Sequence, residues 1–255
     1  MTPRLRPAGQ ITFWAGLTPL ERRLLLRRGL PRTVYRGDVI LSGQQPNFTI
    51  LRSNCWARLQ MGNSSASRVV LDIAGPGDLL SALHTVDPVG PIWLGKTETI
   101  GVVLRRGRIV EIPREEIREI LHKLPSIREH LIHRLSVQSH ITARMHAVSR
   151  HSVESRLAFL LVSLLYRYGE QRRGRSGAAL AVPLSQPDLA GWIGASPASV
   201  ARILQQWRSD GLVRTGHTTV TIVDVKRMIA LAAMGGDAGE VPSWGSHSLN
   251  ELLLP

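Results

Sequence analysis

Residues 184–212, LSQPDLAGWIGASPASVARILQQWRSDGL, contain the pattern that decides the fold. Ser185 is a typical residue at a helix start, and Gly194 is typical of a helix end because glycine adopts the left-handed conformation without steric cost. Ser196 and Pro197 are placed to begin a second helix by the same rules. The stretch therefore predicts two short helices joined by a tight turn, a helix-turn-helix whose second helix enters a DNA major groove.

A helical hairpin from a larger core would give the same local pattern, so the surrounding sequence has to decide between them. The chain has 255 residues and a net charge of +13, from 32 Lys and Arg against 19 Asp and Glu. Arginine binds phosphate through a planar fork, which favours a nucleic-acid partner, although an arginine-rich proteome would produce the same charge. Residues 212–223 predict two short strands, which would form a wing directly after the helix pair. Together these features favour the helix-turn-helix.

The second helix is predicted to be amphipathic. Val200, Leu204 and Trp207 belong to an apolar stripe, whereas the opposite face has small residues with Arg202 and Gln205. Arg202 is the expected reader of guanine, because arginine can bond both acceptors of that base. The candidate DNA-binding residues are Ser185, Gln186, Ser196, Ala198, Ser199, Arg202, Gln205 and His217, and the candidate phosphate contacts are Arg150, Arg172, Arg173 and Arg175.

The N-terminal half predicts a helix followed by an antiparallel β-structure. Residues 13–29 have the apolar spacing of one short amphipathic helix. Residues 31–112 change to a period of two with recurrent turn residues, which is typical of a sandwich or jelly-roll barrel. Residues 74–96 predict an elaborated loop with a short helix over residues 79–83. The predicted strands are 34–35, 39–41, 50–51, 56–59, 69–73, 100–104 and 108–112.

Residues 113–148 predict helix, and beyond Pro125 the apolar positions recur every three or four residues. Such a seam can pack on its own domain or on a second copy of the chain. We favour the second copy, because helix-turn-helix proteins commonly bind two half-sites as a symmetric pair. Arg134 falls off this seam, and residues 149–151 are expected to form a hinge. The candidate dimer-interface residues are Ile127, Leu131, Leu135, Gln138, Ile141 and Met145.

Several classes of protein and of site are disfavoured by composition. The single cysteine, Cys55, excludes an internal disulfide and an all-cysteine metal site, and we expect it to be buried. No apolar run is long enough for a transmembrane helix, and no signal peptide is evident, so we expect a cytoplasmic protein with no membrane partner. There is no nucleophile–base pair, metal-ligand spacing or phosphate loop. We therefore expect neither an enzyme nor a bound metal or cofactor.

The order of elements and several phrases resemble the cyclic-AMP receptor / fumarate-nitrate regulator (CRP/FNR) family of bacterial transcription factors. The phrases are FWAGLTPLERRLLL, YRGDVILSGQ, GPGDLL, IPREEIREILHKLPSIREHL and the helix-turn-helix stretch itself. The resemblance implies an α+β fold with a cyclic-nucleotide-binding-like β-barrel (jelly roll), a long dimerisation helix and a C-terminal winged helix-turn-helix. It also implies double-stranded DNA, a homodimer partner and RNA polymerase as partners. The expected segments are a tail (1–12), the barrel (13–124), the dimerisation helix and hinge (125–150), the DNA-binding domain (151–234) and a disordered tail (235–255).

The chain departs from the family at two sites. Where members that bind cyclic AMP have an Arg-Ser pair, this chain has Thr97-Glu98, and the Gly-Glu phrase becomes Gly77-Asp78. A carboxylate beside a phosphate is repulsive, so we expect no dependence on cyclic AMP. In the recognition helix an Arg-Glu pair becomes Pro197-Ala198, while Arg202 is retained, which predicts a different DNA sequence.

The expected function is that of a dimeric, sequence-specific DNA-binding transcription regulator. The alternative is an effector-sensing module in which a nucleotide or another small molecule binds the barrel and controls DNA binding. The candidate effector pocket comprises Gly77, Asp78, Lys96 and Thr97.

Overall fold

The structure is a computed structural model that describes residues 12–41, 48–61, 68–80, 99–171, 177–180, 182–216 and 219–233. These residues form two compact units, an N-terminal unit that ends at Ser139 and a C-terminal unit that begins at His140. The boundary lies inside the long helix, to which the sequence analysis assigned a segment of its own. No helix within the described ranges is both long and apolar enough to span a membrane.

The N-terminal unit begins with two helices, α1 (Phe13–Gly16) and α2 (Pro19–Arg28), where the sequence predicted one. The prediction was wrong because Thr18 starts a new helix. Its hydroxyl accepts a hydrogen bond from the Glu21 N–H at 3.3 Å, and the Glu21 carboxylate accepts one from the Thr18 N–H at 2.7 Å. This reciprocal capping box satisfies N–H groups that a helix start leaves without intrahelical partners.

Eight strands of this unit form two four-stranded antiparallel sheets. One has the order β1-β8-β3-β6 and the other β2-β7-β4-β5, and over the residues that the structure describes the two sheets do not close into a barrel. This is the arrangement of a double-sheet jelly roll, the form of β-barrel named in the prediction. The strands are β1 (Leu30–Val34), β2 (Val39–Leu41), β3 (Phe48–Leu51), β4 (Trp56–Met61), β5 (Val69–Ala74), β6 (Leu79–Leu80), β7 (Thr99–Arg105) and β8 (Gly107–Ile112).

The predicted helix at residues 79–83 is wrong for the part that the structure describes. Leu79 and Leu80 form the short strand β6, which pairs with Ile50 and Thr49 of β3. Residues 81–83 lie outside the described residues. Strand pairing with a distant segment overrides the local helical preference of a leucine pair.

Alternation along the strands separates two hydrophobic cores. Phe48 and Ile50 of β3 belong to a core shared with the helices, whereas Leu51 belongs to a core drawn from both sheets. Cys55 lies in the inter-sheet core, as expected, and its side chain is fully buried. Burial raises the pKa of its thiol to about 12.

Two helices complete the N-terminal unit and lead into the C-terminal one. They are α3 (Arg114–Lys123) and α4 (Pro125–Ala147), separated at Leu124. A single turn of 3-10 helix (Val148–Arg150) lies where a hinge was predicted. Its backbone ends in the extended conformation at His151, so the helical path stops there.

The C-terminal unit combines helices with one four-stranded sheet. The sheet order is β11-β12-β10-β9, so the predicted wing strands β11 and β12 continue a larger sheet whose β9 and β10 the sequence analysis did not predict. The elements are α5 (Val153–Tyr168), β9 (Gly169–Gln171), β10 (Ala178–Leu180), α6 (Gln186–Ile193), α7 (Pro197–Ser209), β11 (Val213–Thr215), β12 (Val220–Ile222) and α8 (Val225–Ala233).

Candidate nucleic-acid interface

The start of α6 is fixed by a second capping box. The Ser185 hydroxyl accepts a hydrogen bond from the Asp188 N–H at 3.3 Å, and the Asp188 carboxylate accepts one from the Ser185 N–H at 3.0 Å. Pro187 lies in the first turn, where a missing N–H costs no intrahelical bond. The Ser185 hydroxyl therefore has a structural role, and the exposed Gln186 beside it is the freer of the two candidate contacts.

The turn between α6 and α7 depends on Gly194. This residue has φ 62° and ψ 48°, the left-handed conformation that favours glycine. Arg156 of α5 donates a hydrogen bond from Nη1 to the carbonyl oxygen of Ile193 at 2.7 Å. The last turn of α6 is thus held by a cation at the negative end of the helix.

Helix α7 packs on the unit through the apolar stripe that the sequence predicted. Val200, Leu204 and Trp207 are buried, and Ile203 is half-buried. The Trp207 indole N–H donates a hydrogen bond to the Glu154 carboxylate of α5 at 2.7 Å. This bond between helices fixes the rotation of α7 about its axis, and with it the residues that α7 exposes.

The opposite face of α7 is open to solvent. Ala198, Arg202 and Gln205 are exposed, and Ser199 is half-buried. Within the described ranges the Arg202 guanidinium makes no hydrogen bond or salt bridge, so its five donors are available to a ligand. Ser196 is exposed but caps α7, because its hydroxyl accepts a hydrogen bond from the Ser199 N–H at 3.1 Å.

The other arginines of this unit differ in their exposure and in their hydrogen bonds. Arg150 ends the 3-10 turn and is exposed, as is Arg214 of β11. Arg208 of α7 donates to the Thr215 hydroxyl at 3.4 Å, which links α7 to the strand β11. The remaining predicted contacts, Arg172, Arg173, Arg175 and His217, lie outside the described residues.

The candidate effector residues are described only in part, since Lys96 and Thr97 lie outside the described residues. Gly77 and Asp78 follow β5 in a tight turn, and Gly77 has φ 85°. Asp78 is buried, and its carboxylate accepts hydrogen bonds from the guanidinium of Arg134 on α4. This carboxylate is therefore engaged by a side chain of the protein itself.

Sequence reasoning missed Arg134, which it placed off the apolar seam of α4. The structure buries this residue on the same face as Ile127 and Leu131, at spacings of seven and three residues. A signal was present, because those spacings put all three side chains on one helical face. An arginine in phase with buried residues indicates a buried acidic partner.

Two candidate dimer residues have a different role. Ile127 and Leu131 are buried in the core of the N-terminal unit, at 0% and 2% exposure, so neither side chain lies on a surface that a partner could contact. Leu135 is half-buried and packs against the same core. The seam thus packs on its own domain in its first half, and only Gln138, Ile141 and Met145 remain partly exposed without belonging to that core.

Comparison with known proteins supports this interpretation of the C-terminal unit. Residues 155–231 match the family model of the Crp-like helix-turn-helix domain. That range includes most of α5, both helices of the helix-turn-helix, the wing and most of α8.

Similarity to curated proteins extends over somewhat more than half of the chain. The transcriptional activator protein anr of Pseudomonas aeruginosa is 27% identical over 140 residues, which are 53% of this chain and 57% of that protein. A CRP-like cAMP-activated global transcriptional regulator of Mycobacterium tuberculosis is 28% identical over 162 residues, 62% of this chain and 68% of that one. The chain thus spans about half the length of the first curated relatives it matches.

Similarity to solved structures concerns the fold. FixK2 from Bradyrhizobium japonicum superposes with a TM-score of 0.65 at 14% identity, over 80% of this chain and 98% of that one. TTHA1359, a CRP/FNR-family transcriptional regulator from Thermus thermophilus, gives 0.59 at 17% identity, over 81% of this chain and 100% of that one. The N-terminal and C-terminal units therefore have the folds of the two parts of such regulators.

Proposed function

This chain is of the CRP/FNR type, and we propose that it regulates transcription as a homodimer that binds an inverted DNA repeat. In this proposal the two α7 helices enter successive major grooves, roughly 34 Å apart. The observation that carries it is the face of α7, on which Arg202 and Gln205 are exposed while the opposite stripe is buried. We also propose RNA polymerase as a further partner and the cytoplasm as the location.

Arg202 is proposed to read one guanine in each half-site through its O6 and N7 atoms. The first turn of α7 has Pro197 and Ala198, whose side chains cannot hydrogen-bond a base edge. Ser199 and Gln205 would contact bases or phosphates beside Arg202. Arg150 and Arg214, which are exposed, would supply sequence-independent attraction to phosphate.

DNA binding is proposed to be independent of cyclic AMP. The support is chemical, since Asp78 is engaged by Arg134 and the residues at the expected phosphate position are Thr97 and Glu98. The Mycobacterium tuberculosis relative is described as cAMP-activated, so the two chains would differ in this property.

The experiment is selection of bound fragments from random duplex DNA by the purified protein without ligand, followed by sequencing. We expect an inverted repeat with half-sites one helical turn apart. Arg202→Ala should cost about 1–3 kcal/mol of preference at a single base position of each half-site. Recovery of no sequence above salt-sensitive background would contradict effector-independent recognition.

The matched control is Arg208→Ala on the same helix. Arg208 lies six residues from Arg202, about 240° around the helix, and reaches the wing. We expect its loss to weaken binding evenly across sequences and to leave the selected motif unchanged. An unchanged motif with Arg202→Ala would show that the recognition face is assigned to the wrong residues.

A further inference from the structure

Three buried charged side chains of the N-terminal unit meet at one place. The Arg134 Nε atom lies 2.5 Å from Oδ1 of Asp78, and Nη2 lies 3.1 Å from its Oδ2. The same Nη2 atom lies 3.3 Å from Oδ2 of Asp72. The side chains are 4% exposed for Arg134, 2% for Asp78 and 8% for Asp72. One guanidinium therefore binds Asp78 with two nitrogens and reaches a second carboxylate.

Both carboxylates belong to the jelly roll, and backbone hydrogen bonds position one of them. Asp72 belongs to β5, and Asp78 follows in the turn before β6. The Gly77 N–H donates to the carbonyl oxygen of Leu51 at 2.8 Å, and the Leu79 N–H donates to Oδ1 of Asp78 at 3.0 Å. Backbone hydrogen bonds thus contribute to the orientation of the Asp78 carboxylate.

Two buried carboxylates at one place require a cation. Removal from water strongly disfavours an ionised carboxylate unless it is paired and hydrogen-bonded. Guanidinium suits this site better than ammonium, because its planar fork can bond both oxygens of one carboxylate and still reach a neighbour. A cyclic phosphate placed here would face the same carboxylates and be repelled.

We propose that the site formed by Asp72 and Asp78 is a receptor for a guanidinium cation, and that Arg134 is its built-in ligand. The cation comes from α4, the helix that begins in the N-terminal unit and ends in the C-terminal one. Arg134 thereby holds α4 on the jelly roll without an added effector. This consequence for DNA binding rests on the proposed function, whereas the cation site does not.

The experiment is chemical rescue of Arg134→Ala, which removes the guanidinium and leaves space for a small cation. Loss of the guanidinium beside Asp72 and Asp78 should lower the Tm by on the order of 10 °C. Methylguanidinium at millimolar concentration should raise the Tm of the variant more than that of the wild type. Tetramethylammonium has no N–H donor, so at the same ionic strength it should not raise the Tm of the variant in this way. Cyclic AMP should not raise it either. An unchanged Tm in the variant, or rescue by cyclic AMP, would overturn the proposal.

Two further variants define the site. In Arg134→Ala combined with Asp78→Asn, methylguanidinium should give no specific rescue, and rescue equal to that of the single variant would refute the assignment to Asp78. Arg134→Lys keeps the charge without the fork, so its Tm should lie between those of the wild type and Arg134→Ala. If Arg134→Ala does not fold, Arg134→Lys still tests the site. A Tm equal to that of the wild type in Arg134→Lys would refute selectivity for guanidinium.

Binding to the selected duplex separates this proposal from the preceding one. We expect Arg134→Ala to bind about tenfold more weakly than the wild type and methylguanidinium to restore binding, a change of about 1.4 kcal/mol. If the wild type binds no specific duplex, the proposed function fails while the Tm rescue still tests the cation site. If the variant binds as the wild type does, Arg134 does not control DNA binding.

Discussion

At the scale of single residues, Cys55 offers a direct test of the N-terminal unit. Its thiol is fully buried in the inter-sheet core, and burial raises its pKa to about 12. The thiolate is the reactive form, so the folded protein should resist thiol reagents at pH 8. We expect labelling by a chromogenic disulfide to follow unfolding, with full reaction in denaturant as the control. Rapid stoichiometric labelling of the native protein would contradict the packing of this core.

The Cys55 thiol should also affect the stability of the protein at alkaline pH. The unfolded thiol loses its proton near its ordinary pKa of about 8.5, whereas the folded thiol keeps it. The contribution of Cys55 to stability is therefore complete below that pH and declines as pH rises above it. Cys55→Ala should remove this part of the alkaline decline, which denaturant titrations at pH 7 and pH 10 would measure.

Residue-scale roles were predictable where they depend on local pattern. Ser185, Gly194 and Ser196 were each assigned correctly as the ends of helices, because caps and left-handed turns involve neighbours along the chain. The buried position of Arg134 was not predicted, since its partners lie 56 and 62 residues away. Only the fold brings these aspartates next to α4. From the sequence alone, an arginine on a helix is expected to be solvated.

At the scale of elements, the turn of the helix-turn-helix can be tested at Gly194. Among the described residues, a Cβ at this position would meet only the Arg156 Nη1 atom, at 3.7 Å. The cost of alanine is therefore expected to come from the backbone conformation and not from a clash. We expect Gly194→Ala to destabilise the C-terminal unit by about 1–2 kcal/mol because φ is 62°. Gly194→Asn, which tolerates this conformation better, should cost less. Denaturant unfolding of both variants measures the difference, and equal stabilities would rule out a strained left-handed turn.

The Glu21 carboxylate at the start of α2 should make the protein less stable in acid. Burial raises the pKa of Glu21, but hydrogen bonds from Ser126 and Thr18 outweigh it, so the pKa lies below its usual value. The stabilising effect of the carboxylate is therefore present above the unfolded pKa of about 4.3 and is lost as pH falls through the lower, folded pKa.

Glu21→Gln should cost on the order of 1 kcal/mol at pH 7, a typical value for a damaged helix cap. The difference from the wild type should shrink as pH falls through the lowered pKa of Glu21, because the protonated carboxyl is then neutral, as the glutamine amide is. Glu129→Gln on α4 is the control, since this side chain is exposed and takes no part in the capping box of α2. A difference that did not depend on pH would exclude the carboxylate as its source.

Elements were predictable from the sequence when they are long or amphipathic. The strands β4, β5, β7 and β8 show clear β-patterning, and the structure confirms each of them. The strands that were missed, β6, β9 and β10, have only two or three residues each. β6 and β10 pair with segments distant in sequence, and β9 pairs with β10. The break between α1 and α2 was missed for another reason, since the Thr18 capping box interrupts an apolar spacing that continues through it.

At the scale of the whole molecule, the sequence could not locate the boundary between the two units. It lies between Ser139 and His140, inside the continuous helix α4, where no change in composition marks it. The apolar spacing of α4 also does not show which of its residues pack on the same chain and which remain for a second copy. Ile127 and Leu131 belong to the core of their own unit, and the partly exposed positions Gln138, Ile141 and Met145 follow them.

We propose that the homodimer forms through the second half of α4. A two-fold interface contains the same residue from both subunits, so a charge introduced there occurs twice and is removed from water at each place. Ile141→Glu should therefore shift the protein from dimers to monomers in sedimentation velocity. It should also weaken binding to an inverted repeat by at least roughly tenfold, which corresponds to about 1.4 kcal/mol.

Ala143→Glu is the matched control, because Ala143 is exposed and lies about 200° around the helix from Ile141. It adds the same charge to the same helix and should leave both the dimer and DNA binding intact. Denaturant unfolding should show that both variants remain folded, because Ile141 is only half-buried within its own unit. A dimer that survives Ile141→Glu and dissociates with Ala143→Glu would move the interface to the opposite face of α4. If the wild-type protein is monomeric at micromolar concentration, the proposed dimer is wrong. Each α7 would then bind a single half-site, and the selected DNA would lack the inverted repeat.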